Sequence, residues 1–259
     1  LFIIFLIKKK NLYENEYLFY FLIFWPSALI YTSLGLRESL VLISCYFTFY
    51  FLIQKQYFAY VVFLSLVFLL KAPTFVLVII SSAMYILFFN IKNLKFTIIS
   101  LSLIFSILVF VYLSEVIIDK LNHHRFALYL EDGGAESTYK RLNYNFELIK
   151  IILSSGPKFM FSPKYYEISN YFRAFQFIEN IIVFFFIIYY VINGLKINRS
   201  KTIFWSFQIY IWLTVYGMVA FNPGSISRWK FHIIALFFLL INLDVVSKYK
   251  KKYIKKFTY

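Results

Sequence analysis

Apolar runs of about membrane-spanning length recur from one end of the chain to the other, separated by short polar stretches. They show no alternating pattern of barrel type, and backbone groups in lipid must bond within their own segment, so the runs are predicted as helices. Eight spans are expected, over residues 17–31, 36–53, 57–70, 74–89, 96–112, 177–191, 203–221 and 231–246. Residues 1–7 are apolar too. Leu1 opens inside that run without a Met, which reads as a truncated chain with 1–7 the end of a lost helix. The expected fold is all-α, a polytopic transmembrane helical bundle. It forms one membrane domain over residues 1–259 that contains a long loop at 113–176.

Residues 57–89 admit one long tilted helix or two short ones around Lys71-Ala72-Pro73-Thr74. Pro73 breaks the helical ladder, and Lys71 is costly in mid-membrane. Charge decides. The short basic clusters fall on one side only if 57–89 crosses twice, so a hairpin is expected. With that topology the inner segments carry fifteen Lys/Arg against Glu14, Glu16 and Asp244, while the loop at 113–176 carries eight basic and seven acidic residues. Basic residues mark cytoplasmic ends, which puts the long loop outside and the C-terminus in the cytoplasm. Within the loop, residues 137–155 place Leu142, Phe146, Ile149 and Leu153 at helical spacing, with Ser137 as N-cap and Gly156-Pro157 as stop signal. An amphipathic helix lying against the membrane face is expected there, after a flexible Gly133-Gly134.

Composition narrows the function classes. At 61 % hydrophobic and 15 % charged residues, with mean hydropathy +0.72, the chain is neither an ordinary soluble domain nor a disordered one. Its net charge of +15 would point to nucleic acid in a soluble protein, but here it follows the inner helix ends, and no nucleic-acid partner is expected. Cys45 is the one cysteine, which excludes an internal disulfide and a thiolate cluster. There is no phosphate loop and no nucleophile elbow. His123-His124 lacks neighbouring ligands, and zinc needs three or four, so neither a metal nor a cofactor is expected.

What remains are charges at the outer boundary that the topology does not require. Trp25-Pro26-Ser27 leads into Gly35-Leu36-Arg37-Glu38-Ser39, which puts Arg37 and Glu38 at an outer helix start, where anions are favoured. Lys71 sits at the tip of the hairpin. Asn222-Pro223-Gly224-Ser225-Ile226-Ser227-Arg228-Trp229-Lys230 forms an outer turn running into Phe231-His232, and Arg228 and His232, four apart, share a helix face. Arg141, Arg173 and Glu179 complete the set; helix-end and solvated roles account for them. The plain alternatives for the first three groups are a helix cap, a snorkelling lysine and an exposed loop. Three or more cations around the outer mouth of a bundle call for a lipid-anchored anion.

These segments resemble the bacterial O-antigen, capsule and exopolysaccharide repeat-unit polymerases, the Wzy and EpsG-like group. The resemblance is carried by Trp25-Pro26-Ser27, Gly35-Leu36-Arg37-Glu38-Ser39, Lys71-Ala72-Pro73 and Asn222-Pro223-Gly224-Ser225 with Arg228-Trp229-Lys230, and spans most of the chain. Lys71 stands where arginine is commoner. The resemblance implies a metal-independent glycosyltransferase of the bacterial inner membrane. It would join undecaprenyl-pyrophosphate-linked oligosaccharide repeat units on the outer face, with other polysaccharide export proteins as admissible partners. Arg37 and Arg228 would hold the diphosphate with Lys71, Asn222 and Ser225, and Glu38 or His232 would be the base. The rival classes are a transporter or flippase for an anionic or lipid-linked sugar, and a non-catalytic subunit of an assembly complex.

Overall fold

The computed structural model describes residues 36–89, 118–123, 125–127, 129–130, 141–143, 146–220 and 223–246. Among them there is helix and connecting turn but no strand. The principal helices are α1 (Leu36–Ile53), α2 (Tyr57–Leu70), α3 (Ala72–Phe89), α4 (Phe146–Met160), α5 (Tyr171–Ile197), α6 (Arg199–Val219) and α7 (Pro223–Ile241). A π-helical turn, Asn242–Val246, prolongs α7. Four helical stretches are long and apolar enough to cross a membrane: Ala72–Phe89, Tyr171–Ile197, Arg199–Val219 and Ile226–Val246. This is the composition of a membrane protein.

That is fewer than the eight expected spans. The spans at 36–53 and 57–70 are helices with those bounds, but the second, at 14 residues, is about 21 Å long, short of a hydrocarbon core of about 30 Å. The spans at 17–31 and 96–112 lie outside the described residues, as do residues 1–7, Trp25-Pro26-Ser27, Gly35, His124, Gly133-Gly134, Ser137, Asn222 and the lysine tail. α5 starts six residues before the apolar run predicted. Asn170 caps it, accepting from the Arg173 N–H at 2.9 Å, and its polar Gln176, Glu179 and Asn180 are buried against the rest of the bundle.

α7 forms the central post: 89 % of the residues in its most apolar window are buried, against 28 % for α5. A helix wrapped on every side has no need of a polar face. α1 packs beside it through Val41, Leu42, Cys45, Phe49 and Leu52, a helical stripe. α1 reverses into α2 through a Schellman turn. The Gln56 N–H reaches the Phe51 carbonyl at 2.9 Å and the Lys55 N–H the Leu52 carbonyl at 3.0 Å, with Lys55 at φ 61° in the left-handed region. Lys71 alone separates α2 from α3, in an extended conformation (φ −158°, ψ 92°). The chain turns back there. The end of α2 meets the start of α1 through Arg37 and Leu70, and the far end of α3 meets the far end of α7 through Tyr85 and Asp244.

The expected loop helix takes a different form. α4 runs through Gly156 and Pro157 to Met160, and Leu142 lies outside it. Its main partner is α6, not a surface. The buried side is Ser155, Gly156, Phe159 and Met160; of the apolar face expected, Leu153 is 59 % exposed, while Leu142, outside the helix, is buried. Small residues explain this. A Cβ on Gly156 would stand 2.8 Å from Thr214 Oγ1, and one on Gly217 would stand 2.5 Å from the Ser155 carbonyl oxygen. Two backbones approach closely where side chains are missing, as helix pairs in membranes commonly do.

Candidate functional site

One end of the bundle gathers the starts of α1, α3 and α7 and the ends of α2 and α6. Glu38, in the first turn of α1, is a carboxylate at a helix N-terminus, which the helix dipole favours. Its two oxygens face two cations. Lys71 Nζ stands 3.6 Å from Oε2, and Arg228 Nε stands 3.6 Å from Oε1. Neither contact reaches hydrogen-bond length. Glu38 and Lys71 side chains are 13 % and 16 % exposed, whereas Arg228 is 43 % exposed at the mouth.

Aromatic rings fix Lys71. Its ammonium lies 4.7 Å from the Trp229 ring centre and 5.2 Å from that of Tyr216. The two rings contact each other edge-on at 5.4 Å, and Tyr216 Oη is 2.6 Å from Thr74 Oγ1 on α3. The extended backbone at Lys71 is what allows α2 and α3 to part and present the side chain between them.

His232 lies one turn beyond Arg228 on α7, and its Nδ1 is 2.6 Å from the Arg228 carbonyl oxygen. A carbonyl can only accept, so Nδ1 carries a proton, and in the neutral ring Nε2 then keeps its lone pair. Nε2 is buried and has no hydrogen-bond partner among the described residues. The same holds for Arg228 Nε, Ser39 Oγ and Ser227 Oγ. A cleft of about 320 Å³, open to solvent, is lined by Glu38, Lys71 and His232 and flanked by Trp212, Tyr216 and Trp229.

The sequence candidates thus divide. Glu38, Lys71, Arg228 and His232 come together. Arg37 is adjacent but points elsewhere. Its Nε and Nη2 donate to the Leu70 carbonyl at 3.0 and 2.7 Å, capping α2. Neither arginine lines the cleft itself; Arg228 stands at its mouth through its contact with Glu38. Ser225 lies in the first turn of α7, and Asn222 falls outside the described residues. Arg141 pairs with Asp119 at 2.8 Å on an exposed surface, and Arg173 donates to the Glu167 carbonyl at 3.2 Å.

Two buried charge centres stand outside the site candidates drawn from the sequence. Lys230 donates to the carbonyls of Met160 (3.3 Å) and Ser162 (2.8 Å) and to Asn180 Oδ1. It lies two residues from Arg228 and so faces nearly the opposite side of α7. Asp244, at the other end of α7, is fully buried and accepts from Lys201, Tyr85 and Trp205. Charge counting groups Asp244 with the inner loops; its position inside an apolar run is the signal that could have found it. Set beside known proteins, the chain matches no family model, no curated protein and no solved structure.

Proposed function

We propose that the chain is a membrane glycosyltransferase that joins lipid-diphosphate-linked oligosaccharide repeat units, with the cleft between α1, α3 and α7 as its site. The observation that carries this reading is one constellation: two cations on a single carboxylate, beside an imidazole whose Nε2 is unpartnered. Breaking a glycosidic bond to a diphosphate sends charge onto the departing phosphate oxygens. Arg228 and Lys71 stabilise that charge more than they stabilise the bound substrate, which is what accelerates a reaction. His232 Nε2 takes the proton of the attacking sugar hydroxyl, and the Arg228 carbonyl holds the ring in the required tautomer. Glu38, engaged by both cations, is the weaker candidate for base.

The test is glycan polymerisation by cells that lack the native gene and carry a variant. Arg228→Ala should cut ladder formation about a hundred- to a thousandfold at normal protein levels. Arg228→Lys should restore only part, because an ammonium makes no bidentate contact. Full ladders from Arg228→Ala reject the mechanism. A second reading, transport or flipping of an anionic or lipid-linked sugar, has its own observation. A second cavity lined by Phe49, Ser81, Trp205 and Gln208 shares Trp212, Ile233 and Leu236 with the cleft, and its Trp205 donates to Asp244. Lost flipping with polymerisation intact in vitro would favour it.

A further inference from the structure

The contacts of Glu38 are those of a carboxylate held loosely by both neighbours. Each cation stands 3.6 Å away, one on each oxygen, and neither makes a hydrogen bond to it. Strong ammonium– or guanidinium–carboxylate pairs close to about 2.7–2.9 Å. Arg228 Nε is buried yet makes no hydrogen bond, and Ser227 Oγ and His232 Nε2 are likewise buried and unpartnered. Buried polar atoms without partners are uncommon, and each calls for an explanation, a catalytic role or a bound group among them. The ionisable groups of this cluster are Glu38, Lys71, Arg228 and His232, with the Arg37 guanidinium near Lys71, so the cations outnumber the carboxylate.

Resting on the functional reading above, we propose that Glu38 is a resident counter-ion that holds the place of the substrate's diphosphate and is exchanged for it. Placed between them, Glu38 offsets the repulsion of two cations that would otherwise face each other across a low-dielectric gap. An arriving diphosphate offers several oxygens at once, and Lys71 and Arg228 turn from Glu38 to it. The cations move little. Lys71 stays in its box of Trp229 and Tyr216, and Glu38 remains favoured at the N-terminus of α1 by the helix dipole. Glu38 thereby tunes how tightly the anion is held, and its charge opposes retention of the diphosphate product.

The experiment measures binding of inorganic pyrophosphate by calorimetry to the chain in nanodiscs of neutral phosphatidylcholine, with thermal unfolding of each variant recorded alongside. Glu38→Gln removes the competitor and should tighten binding about tenfold or more, while Arg228→Ala should weaken it by a similar factor. Should Glu38→Gln fail to fold, Glu38→Asp withdraws the charge by one methylene and should tighten binding about two- to threefold. A folded Glu38 variant that binds pyrophosphate no more tightly than the natural chain overturns the exchange. Because the probe carries no glycan, the two readings separate. Tightening in Glu38→Gln without any polymer ladder from the natural chain retires the polymerase and keeps the exchange. Ladders with unchanged pyrophosphate affinity do the opposite.

Discussion

Lys230 and Arg228 show how differently two cations two residues apart can be used. An ammonium has three protons to donate, and Lys230 faces three oxygens, from Met160, Ser162 and Asn180. Asn180 Nδ2 donates in turn to the Ser162 carbonyl at 2.8 Å, so the cage is closed on itself. Nothing is left over for a ligand, and Lys230 is a tie between α7 and the segment joining α4 to α5. Lys230→Met should leave those acceptors bare and lower stability by about 2–4 kcal/mol, read as the unfolding midpoint in detergent. Arg228→Ala, at a half-exposed mouth position without a hydrogen bond, should leave that midpoint nearly unchanged. Equal losses from both would contradict this division.

At the scale of elements, α4 depends on a substitution of partners. Pro157 has no N–H, so the Leu153 carbonyl lacks its usual donor one turn on. Tyr210 Oη, from α6, supplies it at 2.9 Å. The helix passes its proline because a neighbour repairs the ladder, as membrane helices permit. Tyr210→Phe should therefore cost about 1 kcal/mol in the natural chain and close to nothing in a Pro157→Ala background, where the backbone restores its own bond. The cycle is read by denaturant unfolding, and equal costs in both backgrounds would dismiss the repair. The Gly-Pro pair reads as a stop signal because sequence shows the missing donor and hides the tyrosine that replaces it. Similarly, the apolar face expected from Leu142 and Leu153 assumes water on the other side. Beside a neighbouring helix, small residues take the contact and Leu153 faces outward.

For the whole molecule, α7 sets the frame. Arg228 and Asp244 are sixteen residues apart on it, about 24 Å, so the cleft and the Asp244–Lys201 pair lie at opposite ends of the bundle. Charge counting places the Lys201 end in the cytoplasm and the cleft outside. In a Cys45→Ser background, a membrane-impermeant thiol reagent added to intact cells should label Ser169→Cys, beside the start of α5, and spare Arg199→Cys, at the start of α6. Both positions are exposed, so accessibility within the protein does not decide the outcome. Label at Arg199→Cys alone would invert the topology.

The sequence by itself determined the helical class, the bounds of α1 and α2 and the break at Lys71, and it offered Glu38, Lys71, Arg228 and His232 within a longer set of candidates. Each follows from a local cause: apolar length, the missing donor of a proline, or a charge standing where the topology has no use for it. Only the tertiary structure decided what each charge does. Arg37 and Arg228 look alike along the chain, yet one caps α2 and the other faces Glu38. Lys230 and Asp244 became visible as buried centres only when α3, α4, α5 and α6 closed around α7. A charge acquires its role from the donors and acceptors that distant segments bring to it, and spacing along one chain does not encode that.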